Sequence, residues 1–487
     1  MKSNLLLITI DCLRSDMIFG QNRTCKTPNI DNLRKKGISY PNMIASGPAT
    51  LEGISAVFTG CYSFVHKIES WTKSHLNPKC TTIAEILKNC GYNTYAWSTG
   101  PLLKQYKLDK GFNKFSYRST NKNLYTLGTD YFVKEIKKLK EPWFLWFHLF
   151  ELHRPRQLDR NFNNIKYGKT KYERALSSLD KYLSILLNSI NLDHTILILT
   201  ADHGENLNDN KLTPFTFAYL IRLPKKIMDF LNWIYKKTKN KLSFIKDKIQ
   251  PMFFYEKKYI GIFQNPYHKI RGWSRIRNAL FSPIFKLIGF KEHKLNRSLI
   301  KYLISTYRYV PYVLDGHGFH LYDFLLKIPF IIVGNNIPYQ GETINAMVRQ
   351  IDILPTIMKL LNIKTEIKVQ GNNILPPLLK KTPEPTAFMN TFSNKIQLSM
   401  MGIRTEKWKY IKYDIVNSDN VELYDLQNDP QENYNVIKKY PDIGKRLMNK
   451  LNVILEEKNK YNDQMTVFSK KDEEIIKKRL RALGYID

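Results

Sequence analysis

The chain reads ILILTADHGE over residues 196–205, and this stretch decides the fold. Its first five residues are apolar or β-branched, which is typical of a strand buried on both faces. Asp202 and His203 follow this run directly. The chain also reads LLLITI over residues 5–10 and then continues with Asp11. We therefore predict two buried strands, each with acidic or imidazole side chains at its carboxyl end.

Strand and helix patterns alternate along the first 205 residues and resume after residue 328. The predicted elements are helices over 82–89, 131–140, 172–190 and 352–361, and strands over 93–97, 143–150, 195–200 and 329–333. Such alternation predicts an α/β fold with a mostly parallel central sheet flanked by helices on both faces. Ligands bind at the carboxyl ends of parallel strands, so Asp11, Asp202 and His203 are expected to meet there. Two carboxylates and an imidazole suit a divalent cation.

The pattern changes near residue 380. Residues 408–412 and 421–426 read as antiparallel strands, and a charged helix is predicted over 441–458. This order predicts a smaller C-terminal α+β subdomain. The predicted organisation is a catalytic domain over 1–210 and 311–380, a basic insertion over 211–310, and the C-terminal subdomain over 381–487.

Positive charge is concentrated in the insertion. The 487 residues include 76 Lys or Arg and 43 Asp or Glu, for a net charge of +33. Residues 211–310 hold 22 Lys or Arg and only 4 Asp or Glu, and they contain aromatic, amphipathic helix patterns. Such a segment suits either peripheral contact with a membrane surface or a cap packed on the catalytic domain. Nucleic acid is the less favoured partner because no recognition motif is present.

The sequence predicts a cytoplasmic protein, with the membrane surface as a peripheral location. The apolar run near Met1 is short and reads as a strand, not as a secretory signal. No window reaches the roughly 18 uncharged apolar residues that a membrane span requires. The cysteines are odd in number and lack zinc-site spacing, which indicates reduced thiols. They are Cys12, Cys25, Cys61, Cys80 and Cys90.

Several short motifs together resemble a known family. They are LLITIDCLRSD at 6–16, TPNIDNL at 27–33, FHLFELHRP at 147–155, TADHGE at 200–205, HGFHLYD at 317–323, IPFII at 328–332, IDILPT at 351–356, RTEKWKY at 404–410 and ELYDL at 422–426. Their order and spacing resemble the sulfatase family of the alkaline phosphatase superfamily. The resemblance covers nearly the whole chain apart from 211–310. It implies a metal-dependent hydrolase of sulfate or phosphate esters.

The chain departs from that family at the nucleophile. Sulfatases carry C-x-P-x-R or S-x-P-x-R, whose first residue becomes formylglycine, ten positions before the Gly of a Thr-Gly pair. Here that pair is Thr59-Gly60, and the corresponding position is Thr50. Ile54 stands at the position of the motif's Arg. Threonine cannot form formylglycine, but the resemblance allows Thr50 to act as an alkoxide nucleophile. The structural alternative for Thr50 is a helix N-cap.

The resemblance also implies roles for the remaining site residues. Asp11, Thr50, Asp202 and His203 would hold one divalent cation, and Ca, Mn, Mg and Zn all remain open. His153 and His317 would stabilise developing charge or protonate the leaving oxygen. His320 competes with His317 for this role. Cys12 stands where many members have a second Asp, which leaves the identity of the metal open.

Thr50 favours phospho(di)ester hydrolysis or phosphoryl transfer through a covalent threonine intermediate. One alternative is a sulfatase that works without formylglycine. Another is a catalytically degenerate member that binds membranes or an acidic partner through 211–310. The expected substrate is an anionic ester, and the basic insertion suggests one linked to a lipid or a glycan.

Overall fold

The computed structural model describes most of the chain outside the basic insertion. The described residues are 2–69, 74–120, 122–126, 128–207, 317–318, 320–335, 337–376, 385–393, 398–414, 421–461 and 467–483. They belong to one compact unit, formed by Met1–Leu207 and Leu314–Asp487. Residues 211–310, for which membrane contact or a cap was predicted, lie outside the described residues.

The strands of the described residues form two sheets. Their bounds are β1 Asn4–Ile10, β2 Ile38–Ile44, β3 Asn93–Ser98, β4 Lys114–Tyr117, β5 Trp143–Leu149, β6 Thr195–Ala201, β7 Lys327–Val333, β8 Val348–Arg349, β9 Ala387–Ser393, β10 Leu398–Arg404, β11 Trp408–Asp414 and β12 Val421–Asp425. The larger sheet has the strand order β4-β3-β5-β1-β6-β7-β2-β8. Only β7 runs antiparallel to its neighbours in this sheet. The predicted mostly parallel sheet is therefore confirmed.

Helices connect these strands and flank the sheet. Their bounds are α1 Asp16–Phe19, α2 Pro28–Lys36, α3 Thr50–Thr59, α4 Ser63–His66, α5 Ile83–Asn89, α6 Thr129–Ile136, α7 Lys171–Leu187, α8 Asp323–Leu326, α9 Ile353–Leu360, α10 Pro441–Lys460 and α11 Lys470–Ala482. The start of α7 shows how the local sequence sets a boundary. The Thr170 hydroxyl accepts from the Glu173 N–H at 3.1 Å, and the Glu173 carboxylate accepts from the Thr170 N–H at 2.9 Å.

The central strands form the core. Every residue of β1, β5 and β6 is buried, as expected for strands covered on both faces. Trp146 on β5 meets Phe58 on α3 edge to face, with ring centroids 4.7 Å apart. Burial of each such aromatic side chain stabilises the fold by about 2 kcal/mol. This packing holds α3 against the middle of the sheet.

The C-terminal region confirms the predicted α+β subdomain. Strands β9 to β12 form an antiparallel sheet in the order β12-β11-β10-β9, and α10 packs on β10 and β11. Two acidic and two basic side chains, all buried except the partly buried Asp323, pair with one another here. We name them the C-terminal ion network: Asp323, Arg404, Lys409 and Glu432. Arg404 Nη2 lies 3.0 Å from Asp323 Oδ2, Lys409 Nζ also pairs with Asp323, and Lys409 Nζ lies 2.7 Å from Glu432 Oε1.

Membrane-spanning helices were searched for in the described residues. Within those residues, every helix is too short or too polar to cross a bilayer.

Candidate active site

The strand register brings two aspartates to the same edge of the sheet. Ile10, the last residue of β1, pairs with Leu149 of β5 and with Ala201 of β6. Asp11 and Asp202 each follow directly after these paired positions. They therefore lie side by side at the carboxyl ends of neighbouring parallel strands, as predicted.

The backbone around Asp202 directs its carboxylate into the protein. The N–H groups of Cys12 and His203 both donate to Asp202 Oδ1, at 3.2 and 2.8 Å. The other oxygen, Asp202 Oδ2, lies 3.4 Å from His203 Nε2. Among the described residues, Asp202 Oδ2 has no hydrogen-bond partner, although it is buried. Such an unsatisfied buried oxygen indicates a ligand.

Electrostatics at this edge also favour a cation. Burial raises the pKa of Asp202, and the adjacent charge of Asp11 raises it further. Burial would likewise raise the pKa of Asp11, but the imidazole of His148, 3.5 Å away, and the nearby His153 and His203 bring it below its usual range. Asp11, Asp202 and His203 offer donor atoms that lie within 4.8 Å of one another. These three buried residues fit a divalent cation.

Thr50 lies at the first position of α3 and points into this cluster. Its Oγ1 donates to Asp11 Oδ2 at 3.2 Å and lies 3.3 Å from His203 Nε2. The N-cap residue is Ala49, so the N-cap alternative for Thr50 is wrong. Gly53 permits the close approach of α3, because a Cβ there would lie 2.4 Å from the Asp202 carbonyl oxygen.

His153 follows β5 and stacks on Phe150, with ring centroids 4.2 Å apart. Its Nδ1 lies 2.6 Å from the Arg154 carbonyl oxygen, which assigns the proton to Nδ1 and leaves Nε2 as the acceptor nitrogen of the neutral ring. Burial lowers the pKa of His153 to about 4. The ring is therefore neutral at physiological pH and suited to accept a proton.

The structure distinguishes His317 from its competitor His320. His317 lies in the cluster, with its ring centroid 4.3 Å from that of His203 and 5.1 Å from that of His153. In contrast, His320 Nε2 lies 2.7 Å from the hydroxyl of Tyr413 in the C-terminal sheet. The structure thus brings together Asp11, Thr50, His153, Asp202, His203 and His317, and it places His320 elsewhere.

Glu205 orients His317 and was not singled out from the sequence, although it belongs to the opening stretch. Its Oε1 lies 3.7 Å from His317 Nδ1. Burial would raise the pKa of Glu205, but the contact with His317 and the nearby arginines lower it to about 2. The Glu205 carboxylate therefore faces His317 Nδ1 and orients the ring.

Arg156 brings a positive charge beside Glu205. Arg156 Nη2 lies 3.8 Å from Glu205 Oε2, and its guanidinium carbon lies 5.3 Å from the centre of the Tyr172 ring. Its Nε and Nη2 are buried without a hydrogen-bond partner in the part of the chain that the structure describes. These donors can bind an anionic oxygen. The only sequence signal was proximity to His153.

Gln350 joins the loop before α3 to the end of β6. Its Oε1 accepts from the Ser46 N–H at 3.0 Å, and its Nε2 donates to the carbonyl oxygens of Ala201 and Asp202 at 3.2 and 2.8 Å. This bridge fixes the distance between Thr50 and Asp202. No pattern in the sequence marked Gln350.

Cys12, which lies beside the candidate cation ligands, has an unusual backbone conformation. Its φ is +63°, in the left-handed region that non-glycine residues rarely adopt. Its thiol donates to Asp11 Oδ1 at 2.8 Å. Burial and the neighbouring carboxylates, Asp11 first, raise the pKa of this thiol well above its usual value.

Comparison with known proteins defines the family. Residues 3–363 match the family model described as Sulfatase, and residues 316–459 match the model described as N-sulphoglucosamine sulphohydrolase, C-terminal. The chain belongs to the sulfatase family, and it is an enzyme of the class that acts on ester bonds. The resemblance inferred from the motifs is confirmed.

Individual relatives are distant in sequence. The chain is 21% identical over 469 residues to arylsulfatase K of Rattus norvegicus, covering 93% of this chain and 78% of that protein. It is 22% identical over 509 residues to N-acetylglucosamine-6-O-sulfatase of Bacteroides thetaiotaomicron, covering 93% and 86%. Its structure resembles the phosphonate monoester hydrolase of Agrobacterium radiobacter with a TM-score of 0.61 and 14% identity, covering 94% and 96%. At this identity, the structural likeness shows the fold alone.

Proposed function

We propose that this sulfatase-family enzyme cleaves phosphate monoesters or diesters, or transfers the phosphoryl group, through a covalent intermediate on Thr50. The observation that carries the proposal is the position of the Thr50 hydroxyl. It lies between Asp11 Oδ2 and His203 Nε2. The sequence spacing to Thr59-Gly60 supports its correspondence to the residue that becomes formylglycine in family sulfatases. A threonine in this place retains a hydroxyl that can attack an ester.

Asp11, Thr50, Asp202 and His203 would hold one divalent cation. The buried, unsatisfied Asp202 Oδ2 and the close carboxylates of Asp11 and Asp202 support this assignment. A bound divalent cation would lower the pKa of the Thr50 hydroxyl and neutralise a nonbridging oxygen of the ester.

In the first step, Thr50 Oγ1 forms a bond to phosphorus and the bond from phosphorus to the leaving oxygen breaks. The hydroxyl proton leaves along the hydrogen bond to Asp11 Oδ2. His317 donates a proton to the leaving oxygen, and Glu205, whose Oε1 lies 3.7 Å from His317 Nδ1, orients the imidazole. The amino-terminal end of α3 stabilises the phosphate on Thr50, because helix N-termini favour anions.

In the second step, water or an acceptor alcohol attacks the phospho-threonine. His153 accepts the proton of the attacking hydroxyl, since burial keeps its ring neutral with a pKa of about 4. The bond between Thr50 Oγ1 and phosphorus then breaks, and Oγ1 takes back the proton that Asp11 received in the first step, which restores the threonine hydroxyl. Proton exchange with solvent returns His153 and His317 to their starting forms. Whether the acceptor is water or an alcohol decides between hydrolysis and transfer.

The substrate is an anionic ester, and we infer that it is linked to a glycan or a lipid. The relative named N-acetylglucosamine-6-O-sulfatase supports the glycan. The charge of residues 211–310 supports a large anionic partner, including the membrane surface. A cytoplasmic location remains part of the proposal.

The test is turnover by the metal-loaded protein on matched aryl sulfate, aryl phosphate and aryl phosphodiester substrates. Thr50→Ala is expected to abolish phosphoester turnover, while Thr50→Ser retains part of it. Thr59→Ala is the matched control, because Thr59 lies at the other end of α3 and its hydroxyl donates to the Ser55 carbonyl oxygen at 2.7 Å. Mass spectrometry of the quenched reaction should find phosphate on Thr50. Phosphoester turnover that is indifferent to Thr50 would contradict the proposal.

A second candidate is sulfate ester hydrolysis without formylglycine. The names of the two curated relatives favour it, since both are sulfatases. Dominant aryl sulfate turnover, with no phosphoester turnover, would establish this candidate. If metal binds but no ester turns over, vesicle binding that survives Thr50→Ala would instead favour the degenerate binding protein.

A further inference from the structure

We propose that Cys12 is itself a ligand of the cation, so that the site selects a thiophilic divalent cation of the zinc class over calcium and magnesium. The inference rests on the metal site of the proposed function and reduces the number of cations that the site is expected to select. Neither the family match nor the relatives assign a role to this cysteine.

The first argument is the position of the sulfur. Cys12 Sγ lies 2.8 Å from Asp11 Oδ1. Cys12, His203 and His317 also offer donor atoms within 4.8 Å of one another. His203 thus belongs both to this group and to the group with Asp11 and Asp202. The sulfur therefore lies beside the group formed by His203 and the two aspartates, in contact with one of them, Asp11.

The second argument is the backbone that presents the sulfur. The left-handed conformation of Cys12 is strained, and such strain persists only where the surroundings enforce it. Two hydrogen bonds enforce it here. The Cys12 N–H donates to Asp202 Oδ1 at 3.2 Å, and the Cys12 carbonyl oxygen accepts from the Tyr172 hydroxyl at 2.7 Å. The loop holds Sγ beside the carboxylates instead of turning it into the apolar core.

The third argument is the chemistry of the donor set. Thiolate, imidazole and carboxylate together are the ligands of zinc, whereas calcium and magnesium take oxygen ligands. An aspartate at position 12 would have provided another oxygen. On binding, the S–H bond breaks, a bond between sulfur and the metal forms, and the proton passes to solvent.

His317 is the neighbour that could replace Cys12 as the additional ligand. Its Nδ1 lies 3.6 Å from Cys12 Sγ, but the same nitrogen faces Glu205 Oε1 at 3.7 Å. This nitrogen thus faces a carboxylate oxygen, which only accepts, so its geometry suits donating a hydrogen and not binding a metal. Cys12 and His317 therefore have separable roles, binding the metal and donating a proton.

The test uses the full chain, freed of metal and titrated with Cd²⁺, whose bond to thiolate gives an ultraviolet charge-transfer absorption. One equivalent should produce this absorption in the wild type and in His317→Gln, and none should appear in Cys12→Ser. Cys25→Ser is the matched control, because Cys25 is also buried but its thiol donates to the Met17 carbonyl oxygen at 3.2 Å. In competition, Cys12→Asp should lower the preference for Zn²⁺ over Ca²⁺ by at least about tenfold.

Equilibrium dialysis separates the two levels of the proposal. Stoichiometric Cd²⁺ without the absorption, or an absorption that survives Cys12→Ser, overturns the role of Cys12 and leaves the aspartate site standing. No bound Cd²⁺ in the wild type overturns the metal site and the role of Cys12 together. A thiolate absorption in a protein whose turnover ignores Thr50 would support Cys12 while the proposed nucleophile fails.

Discussion

The candidate site and the C-terminal ion network both bury carboxylates, but their carboxylates have different partners. In the network, Asp323 pairs with Arg404 and Lys409, and Lys409 also pairs with Glu432. At the site, Asp11 and Asp202 lie close together, and among the described residues their neighbouring basic groups are imidazoles. The network contains its own counter-charges, whereas no lysine or arginine pairs with Asp11 or Asp202 in the part of the chain that the structure describes.

This difference separates a structural cluster from a functional one. Partners lower the pKa of Asp323 although its burial acts in the opposite direction, while burial and Asp11 raise the pKa of Asp202. Ionised Asp323 is therefore stabilised by the fold, and ionised Asp202 is destabilised by it. A protein retains such a destabilised charge where a ligand compensates for it.

The same Asp→Asn substitution made in each cluster tests the comparison directly and has the largest expected effect. Asp202→Asn should lower kcat/KM at least about a thousandfold, because it removes a ligand from a cation that contributes several kcal/mol. In the wild type, the pKa of Asp202 is higher in the folded state than the unfolded value of 3.8. Ionisation of Asp202 therefore destabilises the folded protein as the pH rises. The metal-free variant should be as stable as the wild type or more stable at neutral pH, as measured by urea unfolding.

Asp323→Asn should behave in the opposite way. Its folded pKa is lowered, so it contributes stability above the unfolded pKa of 3.8 and loses it as the pH falls. The substitution removes the negative charge that pairs with Lys409 and Arg404. It should therefore lower the unfolding free energy by about 3–5 kcal/mol. If both variants lost stability equally, the distinction between the two clusters would be wrong.

Glu52, a buried carboxylate on α3, sharpens the comparison through pH. Its Oε2 has no hydrogen-bond partner among the described residues, and burial raises its pKa to about 8. A raised folded pKa contributes stability that is complete below the unfolded pKa of 4.5 and is lost as the pH rises through about 8. Between pH 4.5 and about 8, the unfolding free energy of Glu52→Gln should therefore fall by a few kcal/mol less than that of the wild type. Identical pH profiles for the two proteins would contradict the buried neutral form.

Replacing one arginine beside each cluster, Arg156 or Arg404, by alanine tests the same comparison with cationic side chains. It has the smallest expected effect. Arg156→Ala should raise KM for an anionic ester about ten- to a hundredfold with little change in stability, because charged hydrogen bonds contribute about 1.5–3 kcal/mol. Arg404→Ala should instead reduce stability, since Arg404 pairs with Asp323. Steady-state kinetics and urea unfolding of both variants check this. A stability loss of equal size in Arg156→Ala would assign it a structural role.

Much of the fold was predictable because its strands are continuous apolar runs ending in polar residues. Strands β1, β3, β5, β6 and β7 and the main helices lie where the patterns predicted them, to within a few residues. Strand β2 was not predicted, because Pro41 interrupts its pattern. The structure accommodates this proline with a shift in register between Tyr40 and Met43. Strands β9 and β10 were also missed, since their short sequences lack clear alternation.

The sequence by itself determined the residues that meet at the carboxyl edge of the sheet. Asp11, Asp202 and His203 follow apolar runs, and a parallel sheet places the ends of such runs together. The motifs also marked Thr50, His153 and His317, which the structure brings to the same cluster. Local pattern was sufficient here because strand ends and short motifs are features of consecutive residues.

Only the tertiary structure decided how these residues are held and charged. The orientation of His317 by Glu205, the bridge of Gln350 and the donors of Arg156 depend on contacts between residues far apart in sequence. The choice between His317 and His320 depended on the approach of Tyr413 from the C-terminal sheet. Burial and neighbouring charge shift each pKa, and both quantities exist only once the chain has packed.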